Sequence, residues 1–268
     1  MIADNTTTPT VLVWFRKDLR LQDNPALHAA VSRGYKILPV FVWDPEEGGQ
    51  WSPGAASRWW LHYALQSLGS DISKLGGELI LAKGKAAELI PQIAKDHGTQ
   101  KVLYGRTYDP PGLATQEQVE EALDREGIDT ESFNASLLQE PWETKNGSGN
   151  PFQVFTPYWR KSRAIIYREP VQYSPSKLSF HPSPTPKQSL DELALLPDHS
   201  WHQKLEEHWV VSESAAHEQL ERTVNEVTHS YATRRNQPSV DGTSRLSPYL
   251  AWGLISPRQM PRRSAGRQ

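Results

Sequence analysis

Hydroxyl-bearing and cationic side chains are concentrated in one short segment near the carboxyl end of the chain. Thr243, Ser244 and Ser247 supply three hydroxyl groups within five residues, and Arg245 lies between them. Hydroxyls, a guanidinium and the free N–H groups of a helix that begins here are all donors with which proteins bind phosphate. The same residues could equally form the start of a helix in which a serine is the N-cap and no ligand is bound. The residue types therefore leave phosphate binding and a plain helix start both open.

The region around this segment is strongly basic, although the whole chain has a formal net charge of -2. Between Tyr231 and Gln268 there are seven arginines and one acidic residue, Asp241. Such a cluster suggests contact with the phosphates of a nucleic acid or a nucleotide. A solvated basic tail is the alternative that charge alone leaves open. The arginines are Arg234, Arg235, Arg245, Arg258, Arg262, Arg263 and Arg267.

Several common kinds of site are missing from the sequence. The chain has no cysteine, which excludes disulfides, thiolate metal sites and cysteine nucleophiles. It has no G-x-G-x-x-G turn after its first strand, no phosphate-binding loop that ends in Gly-Lys-Ser/Thr, and no G-x-S-x-G turn. His217 and Glu218 begin like a zinc-binding helix, but position 221 is Glu instead of a second His. We therefore assign no catalytic residue and expect no metal site.

The elements that must position these residues begin with short apolar runs that alternate with amphipathic helices. Strands are predicted at 11–15, 37–43, 79–81, 102–104 and 130–133, and the first two are expected to be buried. Helices are predicted to begin at Asn24, Ser52, Ala86 and Thr115, the last from the capping-box form of Thr115 and Gln118. This alternation predicts an α/β fold with a five-stranded, doubly wound parallel sheet.

In a sheet of this kind, ligands bind beyond the carboxyl ends of the strands. Three of the predicted ends carry polar residues, which are Arg16-Lys17-Asp18, Asp44-Pro45 and Gly105-Arg106. A small molecule is expected at this edge. The charged residues Arg16, Asp18 and Arg20 are better explained by pairing across a domain interface than by a catalytic role.

The length of 268 residues favours two domains. We predict a domain over 1–139, a linker with local helix over 140–200, and the start of a helical domain over 201–268. From Ser214 onward, helical spacing returns, and the apolar residues that share a face are expected to have nothing to cover them. Those residues are Ala215, Leu220, Val224, Val227 and Tyr231.

Nothing in the sequence predicts insertion into a membrane or export. No apolar run approaches the roughly 20 residues that a membrane-spanning helix needs. The first ten residues are mostly polar and resemble neither a secretory signal nor a transit peptide. We therefore expect a cytoplasmic protein, and we expect it to be a monomer.

Three ordered motifs closely resemble those of the DNA photolyase/cryptochrome family. The first runs from Trp14 to Asn24 (WFRKDLRLQDN) and is similar to the opening of the family. The second, Phe155 to Trp159 (FTPYW), is similar to an element that follows the α/β domain of the family. The third runs from Gly242 to Leu250 (GTSRLSPYL), continues as Gly253 to Gln259 (GLISPRQ), and is similar to the flavin-phosphate segment. The chain is identified as a member of the family, with class I photolyases as the expected subclass.

The resemblance implies a Rossmann-like α/β antenna domain followed by an α-helical domain that binds flavin adenine dinucleotide (FAD). It also implies that Arg235 contacts a phosphate of DNA. The positions that match those where the family holds FAD are Tyr231, Thr243, Ser244, Arg245, Leu246 and Ser247.

The resemblance further implies light-driven repair of cyclobutane pyrimidine dimers in damaged DNA, with a dimer flipped out of the duplex. Cryptochromes keep the flavin but signal instead. The antenna pigment is expected to be a folate or a deazaflavin. Residues 108–112 lack an Asn-Glu pair that the resemblance associates with folate, so its identity stays open and no antenna residue is assigned.

The match to the family ends after Met260, and the rest of the helical domain is not in this sequence. We therefore expect a truncated chain that alone repairs no dimers and retains little flavin. Two other functions stay open: a pigment-binding or regulatory module without repair chemistry, and a nucleotide-binding stress-type protein. The ten tryptophans are expected to be core and interface residues.

Overall fold

The computed structural model describes residues 8–166, 170–175, 177–182 and 188–260. Its central element is a parallel sheet of five strands in the order β3-β2-β1-β4-β5. The strands are β1 (Thr10–Phe15), β2 (Lys36–Trp43), β3 (Ile80–Lys83), β4 (Lys101–Gly105) and β5 (Asp129–Phe133). The predicted α/β fold is therefore confirmed, and the strand order reverses between β1 and β4.

Helices cover both faces of the sheet, which buries the central strands on both sides. They are α1 (Pro25–Ser32), α2 (Ala55–Lys74), α3 (Ala86–Asp96) and α4 (Pro110–Arg125). Along β1, successive side chains enter different cores. Val11 and Val13 face α1, α2 and the later helical segment, whereas Leu12 and Trp14 face α3 and α4.

The predicted start of α4 at Thr115 is wrong, because the helix begins five residues earlier. Asp109 is its N-cap and accepts a hydrogen bond from the backbone N–H of Gly112. Pro110 follows at the first helical position, where its missing N–H has no cost. Asp109 and Pro110 together form a stronger start than the capping-box pattern at Thr115, which lies inside the helix.

The segment predicted as a linker contains the helix α5 (Phe155–Ser162) and packs back on the α/β domain. Ser179 and His181 form backbone hydrogen bonds of 2.8 and 2.9 Å with Ile37 of β2. The ring of Phe180 lies against Gly77, where an added Cβ would be 2.5 Å from it. The boundaries 1–139, 140–200 and 201–268 stay a prediction, and Tyr167 and residues 183–187 lie outside the described residues.

The helical segment comprises α6 (Gln203–Glu206), α7 (Glu213–Arg222), α8 (Tyr231–Arg234) and α9 (Ser247–Ala251). A π-helical turn, Thr223–Val227, continues α7. The expectation that its apolar face has nothing to cover it is wrong. Four of the five predicted residues are buried, three of them in the core that the helical segment shares with the α/β domain, and only Tyr231 is exposed. The buried residues are Ala215, Leu220, Val224 and Val227.

Aromatic side chains join this segment to α2. The rings of Trp209 and Tyr249 meet Trp60 of α2 edge-on, with centroids 5.2 and 5.0 Å away. The expectation that the tryptophans are core and interface residues is met by Trp60, whereas Trp51 is 80% exposed. Within the described ranges, no helix has the length and apolar character needed to cross a membrane.

Candidate functional site

A cavity of about 640 Å³ opens at the carboxyl ends of β1 and β2, beside the start of α4. The cavity occupies the edge of the sheet where a small molecule is expected from the sequence. Two of the three predicted polar ends line it, through Arg16, Lys17 and Asp44, whereas Gly105-Arg106 does not. Its aromatic lining consists of Trp14, Phe15, Phe41, Trp43, Trp51 and Trp252.

Arg16 is the buried cation of this cavity. Its Nη2 donates to the carbonyl oxygen of Gly112 at 3.1 Å and lies 3.4 Å from Glu47, while the guanidinium carbon is 4.4 Å from the Trp14 ring centroid. Burial lowers the pKa of Arg16, and the charges of Glu47 and Asp18 act in the opposite direction. Its Nη1 is buried and has no hydrogen-bond partner among the residues that the structure describes.

A buried donor without an acceptor costs about 1–3 kcal/mol. An acceptor atom of a ligand in the cavity would remove this cost. Thr107 also lines the cavity, and its buried hydroxyl has no hydrogen-bond partner among the described residues either. The apolar walls and these two buried donors therefore suit a flat aromatic molecule that carries a carbonyl or an anionic oxygen.

An ion pair between Lys17 and Asp109 stands at the rim of the cavity, with Nζ and Oδ1 2.9 Å apart. Burial acts to raise the pKa of Asp109, but the hydrogen bond and the charge of Lys17 outweigh it, and the pKa is held below its usual value. Asp109 thus stays ionised, caps α4 and fixes Lys17.

The second candidate region is formed by three parts of the helical segment. Gln219 and Thr223 donate side-chain hydrogen bonds of 2.7 and 3.3 Å to the carbonyl oxygen of Ser244. Gly242 lies so close to α8 that an added Cβ would be 2.8 Å from the carbonyl oxygen of Arg234. The structure therefore brings the segments 231–235 and 241–247 together, as a shared site requires.

Within this cluster, the predicted residues differ in exposure. Thr243, Arg245 and Ser247 are exposed, and Ser244 is half-buried. Leu246 is only 3% exposed and its side chain belongs to the core, so a ligand could meet only its backbone.

Arg245 has an unusual backbone conformation, with a φ of +50° that residues other than glycine rarely adopt. Its Nε lies 3.0 Å from Asp241, which also accepts a 2.6 Å hydrogen bond from Arg222. Strained backbone of this kind is concentrated at binding sites and active sites.

Serine does not cap α9, which disfavours the plain helix start that the sequence left open. The N-cap residue Leu246 makes no side-chain cap, and Pro248 at the second position has no N–H to offer. Within the described part of the chain, the hydroxyls of Thr243 and Ser247 have no hydrogen-bond partner.

Tyr231, the first residue of α8, and Arg235, which directly follows the helix, form an exposed pair. The guanidinium carbon of Arg235 is 5.6 Å from the ring centroid of Tyr231, which is 43% exposed. Arg262, Arg263 and Arg267 of the predicted basic cluster lie outside the described residues.

Buried polar contacts fix the helical segment to the loop after β1. The Nη1 of Arg20 donates to the carbonyl oxygen of Gly253 at 2.9 Å. The carboxylate of Glu213 accepts hydrogen bonds of 2.7 and 2.8 Å from the N–H groups of Leu21 and Gln22. The predicted pairing across the interface is therefore confirmed for Arg20, whereas Arg16 faces the cavity.

The model of the DNA photolyase family matches residues 11–185 of this chain. That range includes all of the sheet except its first residue, Thr10, and most of the cavity lining. The chain belongs to the DNA photolyase family.

Both photolyases and cryptochromes are among the named relatives that are similar to this chain. A deoxyribodipyrimidine photo-lyase of Agrobacterium fabrum is 37% identical over 93% of this chain and 52% of its own length. Cryptochrome-2 of Arabidopsis thaliana is 35% identical over 93% of this chain and 42% of its own length. The chain thus spans about half the length of these relatives. An uncharacterized 31.6 kDa protein of Synechococcus is 30% identical over 93% of this chain and 87% of its own length.

Solved structures of the family have the same fold. A bacterial class III photolyase from Agrobacterium tumefaciens superposes with a TM-score of 0.91 and 34% identity, over 99% of this chain and 55% of that one. A cryptochrome from Synechocystis superposes with a TM-score of 0.85 and 27% identity, over 97% of this chain and 57% of that one.

Two aromatic residues of the cavity were missed by the sequence analysis of this photolyase-family chain. Trp51 follows a Gly48-Gly49 turn in which both glycines have positive φ, and this pair could have indicated a loop that presents an aromatic ring. Trp252 comes from the helical segment, more than two hundred residues after Trp51. No local pattern predicts that contact, because only the fold brings the two segments together.

Proposed function

We propose that this chain is the antenna-and-phosphate-binding part of a light-driven DNA repair photolyase. The family reaction is FAD-dependent splitting of cyclobutane pyrimidine dimers, and we assign it to the complete family polypeptide, whose named relatives are about twice as long. The observation that carries the proposal is the aromatic cavity, in which the buried Nη1 of Arg16 has no hydrogen-bond partner within the described part of the chain. One short segment joins this cavity to the cluster around 243–247. We expect a monomeric, cytoplasmic protein that acts on damaged DNA.

In this proposal the cavity of the α/β domain holds the antenna pigment. Such a pigment, when bound, absorbs near-ultraviolet or blue light and passes the excitation to FAD. Trp14 and Trp252 would line its ring system, and Nη1 of Arg16 would donate to a ring carbonyl. A folate, a deazaflavin and a flavin such as FMN all present such an acceptor, so the pigment is proposed by class and not by name.

The cluster in the helical segment would hold the phosphates of FAD. The hydroxyls of Thr243 and Ser247 are exposed donors, and Arg245 adds a cation next to them. FAD, when bound and reduced, supplies the electron that splits the dimer. Arg235, at the carboxyl end of the neighbouring helix α8, would contact a phosphate of the damaged strand.

The subclass is part of the proposal. The motifs favoured class I, whereas the similarity to a class III photolyase extends over nearly the whole chain and favours class III. We propose class III. Because the cryptochromes match almost the same range, a pigment-binding module that signals without repair is the second candidate.

Ligand binding tests the proposal directly. The purified chain is titrated with FMN, 5,10-methenyltetrahydrofolate and 8-hydroxy-5-deazariboflavin, and separately with FAD, by difference absorption. We expect one of the three pigments to bind with red-shifted, structured absorption, and FAD to bind more weakly. A chain that leaves all three pigment spectra unchanged would contradict the antenna assignment.

A further inference from the structure

Trp252 is a wall of the cavity in the α/β domain, yet it belongs to the helical segment. We propose that Trp252 positions the ligand of this cavity and that ligand binding and the docking of residues 246–255 stabilise each other through it. This inference rests on the proposed pigment site. It adds a positioning residue and a coupling that the α/β domain alone does not contain.

The indole of Trp252 is held in one orientation. Its Nε1 donates to the carbonyl oxygen and to the hydroxyl of Ser57 on α2, at 3.1 and 3.2 Å. Its own carbonyl oxygen accepts a 3.1 Å hydrogen bond from the N–H of Leu19 in the loop after β1. A side chain fixed at both ends presents a preformed surface to a ligand.

The next residue fixes the same segment to the residues on the other side of the cavity. An added Cβ on Gly253 would lie 2.0 Å from the carbonyl oxygen of Lys17, and Gly253 accepts a hydrogen bond from Arg20. Lys17 and its neighbour Arg16 line the cavity. The contact leaves no room for the segment to shift without moving the loop that carries Arg16.

On its other side, Trp252 directly follows α9, whose first residue is Ser247. Tyr249 of this helix packs against Trp60, and its hydroxyl donates to the carbonyl oxygen of Val210 at 2.9 Å. Leu254 and Ile255, which follow, are fully buried. The phosphate segment and Trp252 therefore move as one packed unit.

Coupling follows from this arrangement. A pocket usually buries about 70–90% of its ligand, and undocking of the unit would remove one wall. A ligand that touches the indole therefore binds the docked state more tightly, and it must stabilise docking by the same factor. Pigment in the α/β domain thus favours the conformation that places Thr243 and Ser247.

The first test uses whichever of the three pigments binds the wild type. It compares the affinity of that pigment for the wild type and for variants of the whole chain. Trp252→Ala should weaken binding about tenfold or more, because an aromatic wall is lost. Trp252→Phe keeps a ring and should recover most of that affinity. Trp201→Ala is the matched control, since Trp201 belongs to the same segment, is exposed and does not line the cavity.

The second test measures amide hydrogen exchange with and without that pigment. The N–H groups of Gly253 and Leu254 are hydrogen-bonded to Leu250 and Tyr249. We expect a saturating pigment to slow their exchange in the wild type and in Trp252→Phe. In Trp252→Ala, pigment should leave their exchange unchanged.

The outcomes separate the two proposals. If none of the three pigments binds the wild type, the pigment site is wrong and the coupling falls with it. If a pigment binds the wild type and Trp252→Ala equally well, or protects no amide in 246–255, the cavity assignment stands and the role of Trp252 is overturned.

Discussion

Gly253 rests directly on the carbonyl oxygen of Lys17, with space for no side chain between the two backbones. Its φ of +70° lies in the left-handed region that glycine adopts most easily. The helical segment therefore docks on the loop after β1 by direct backbone contact, and the residue type at position 253 follows from two independent requirements.

Gly253→Ala should lower the free energy of unfolding by about 2–4 kcal/mol, which combines overpacking with the cost of a positive φ. Urea denaturation measures this change. Gly69→Ala is the control, because an added Cβ at Gly69 in α2 has no atom of the described residues within 4 Å and should stabilise the helix by up to about 1 kcal/mol. Equal effects of the two substitutions would contradict the close contact.

Arg20 joins three carbonyl oxygens from separate parts of the chain. It is 1% exposed and donates to Ala135, Asp23 and Gly253 at 2.7, 2.8 and 2.9 Å. Burial holds the pKa of Arg20 below its ordinary value, although the charges of Asp18 and Asp23 act in the opposite direction. The guanidinium fork therefore fills a site built for a planar donor.

Replacing Arg20 with Met should cost about 3–5 kcal/mol, because the carbonyls lose their donor and Asp18 loses a buried counter-charge. Arg20→Lys should restore little, since an ammonium lacks the fork. Urea unfolding is the measurement, with the exposed Arg125→Met as control. A loss below about 1 kcal/mol for Arg20→Met would show that the interface does not depend on this residue.

The strands and the edge of the sheet that carries the cavity followed from the sequence, because local pattern determines both. The apolar run at Val11 to Phe15 marks a buried strand, and Arg16-Lys17 directly after it had to lie at the carboxyl edge. The predicted start of α4 was wrong because two local signals for a helix start lie close together. The helix begins at the Asp109-Pro110 signal and not at Thr115.

The parts that could not be predicted depend on contacts between distant segments. Trp252 gives no local sign that it enters a cavity of the other domain. Leu246 was expected among the FAD-binding residues by position in a motif, but the side chain faces the core because the phosphate segment docks on α2 and α7. The predicted FAD and DNA roles of Tyr231, Arg235 and residues 243–247 stay predictions.

Arg16→Met should weaken pigment binding by about tenfold to a hundredfold, because the ligand loses a charge-assisted hydrogen bond in a buried site. Difference absorption gives the affinity. Arg33→Met is the control, since Arg33 pairs with Glu131 at the surface and does not line the cavity. Equal affinity of the wild type and Arg16→Met would mean that Nη1 meets no acceptor of the ligand.

His62 should make stability depend on pH. Burial lowers its pKa below the ordinary value, Asp191 acts to raise it, and Nδ1 has no hydrogen-bond partner in the described ranges. The unfolded chain therefore binds the proton more readily, and stability should fall as the pH falls from 7.5 through the ordinary titration range of histidine to 5.5. Thermal unfolding at several pH values tests this.

Replacing His62 with Gln should reduce that slope without removing it. Burial also lowers the pKa of His28, His97 and His181, so part of the pH dependence remains. If His62→Gln leaves the change of stability with pH unaltered, the pH dependence arises from those other histidines and not from His62.

The central claim is that this chain supplies the antenna and phosphate-binding part of a dimer-repairing photolyase. A fusion tests it, in which residues 1–260 are extended by the remaining helical domain of the Agrobacterium photo-lyase. The unfused chain with added reduced FAD is the comparison.

The measurement is light-dependent loss of cyclobutane dimers from a defined oligonucleotide, with the fusion first shown to carry FAD by its absorption. We predict repair by the fusion in the light, none in the dark, and none by the unfused chain. A fusion that carries FAD and leaves every dimer intact in the light would contradict the repair function and favour the signalling alternative.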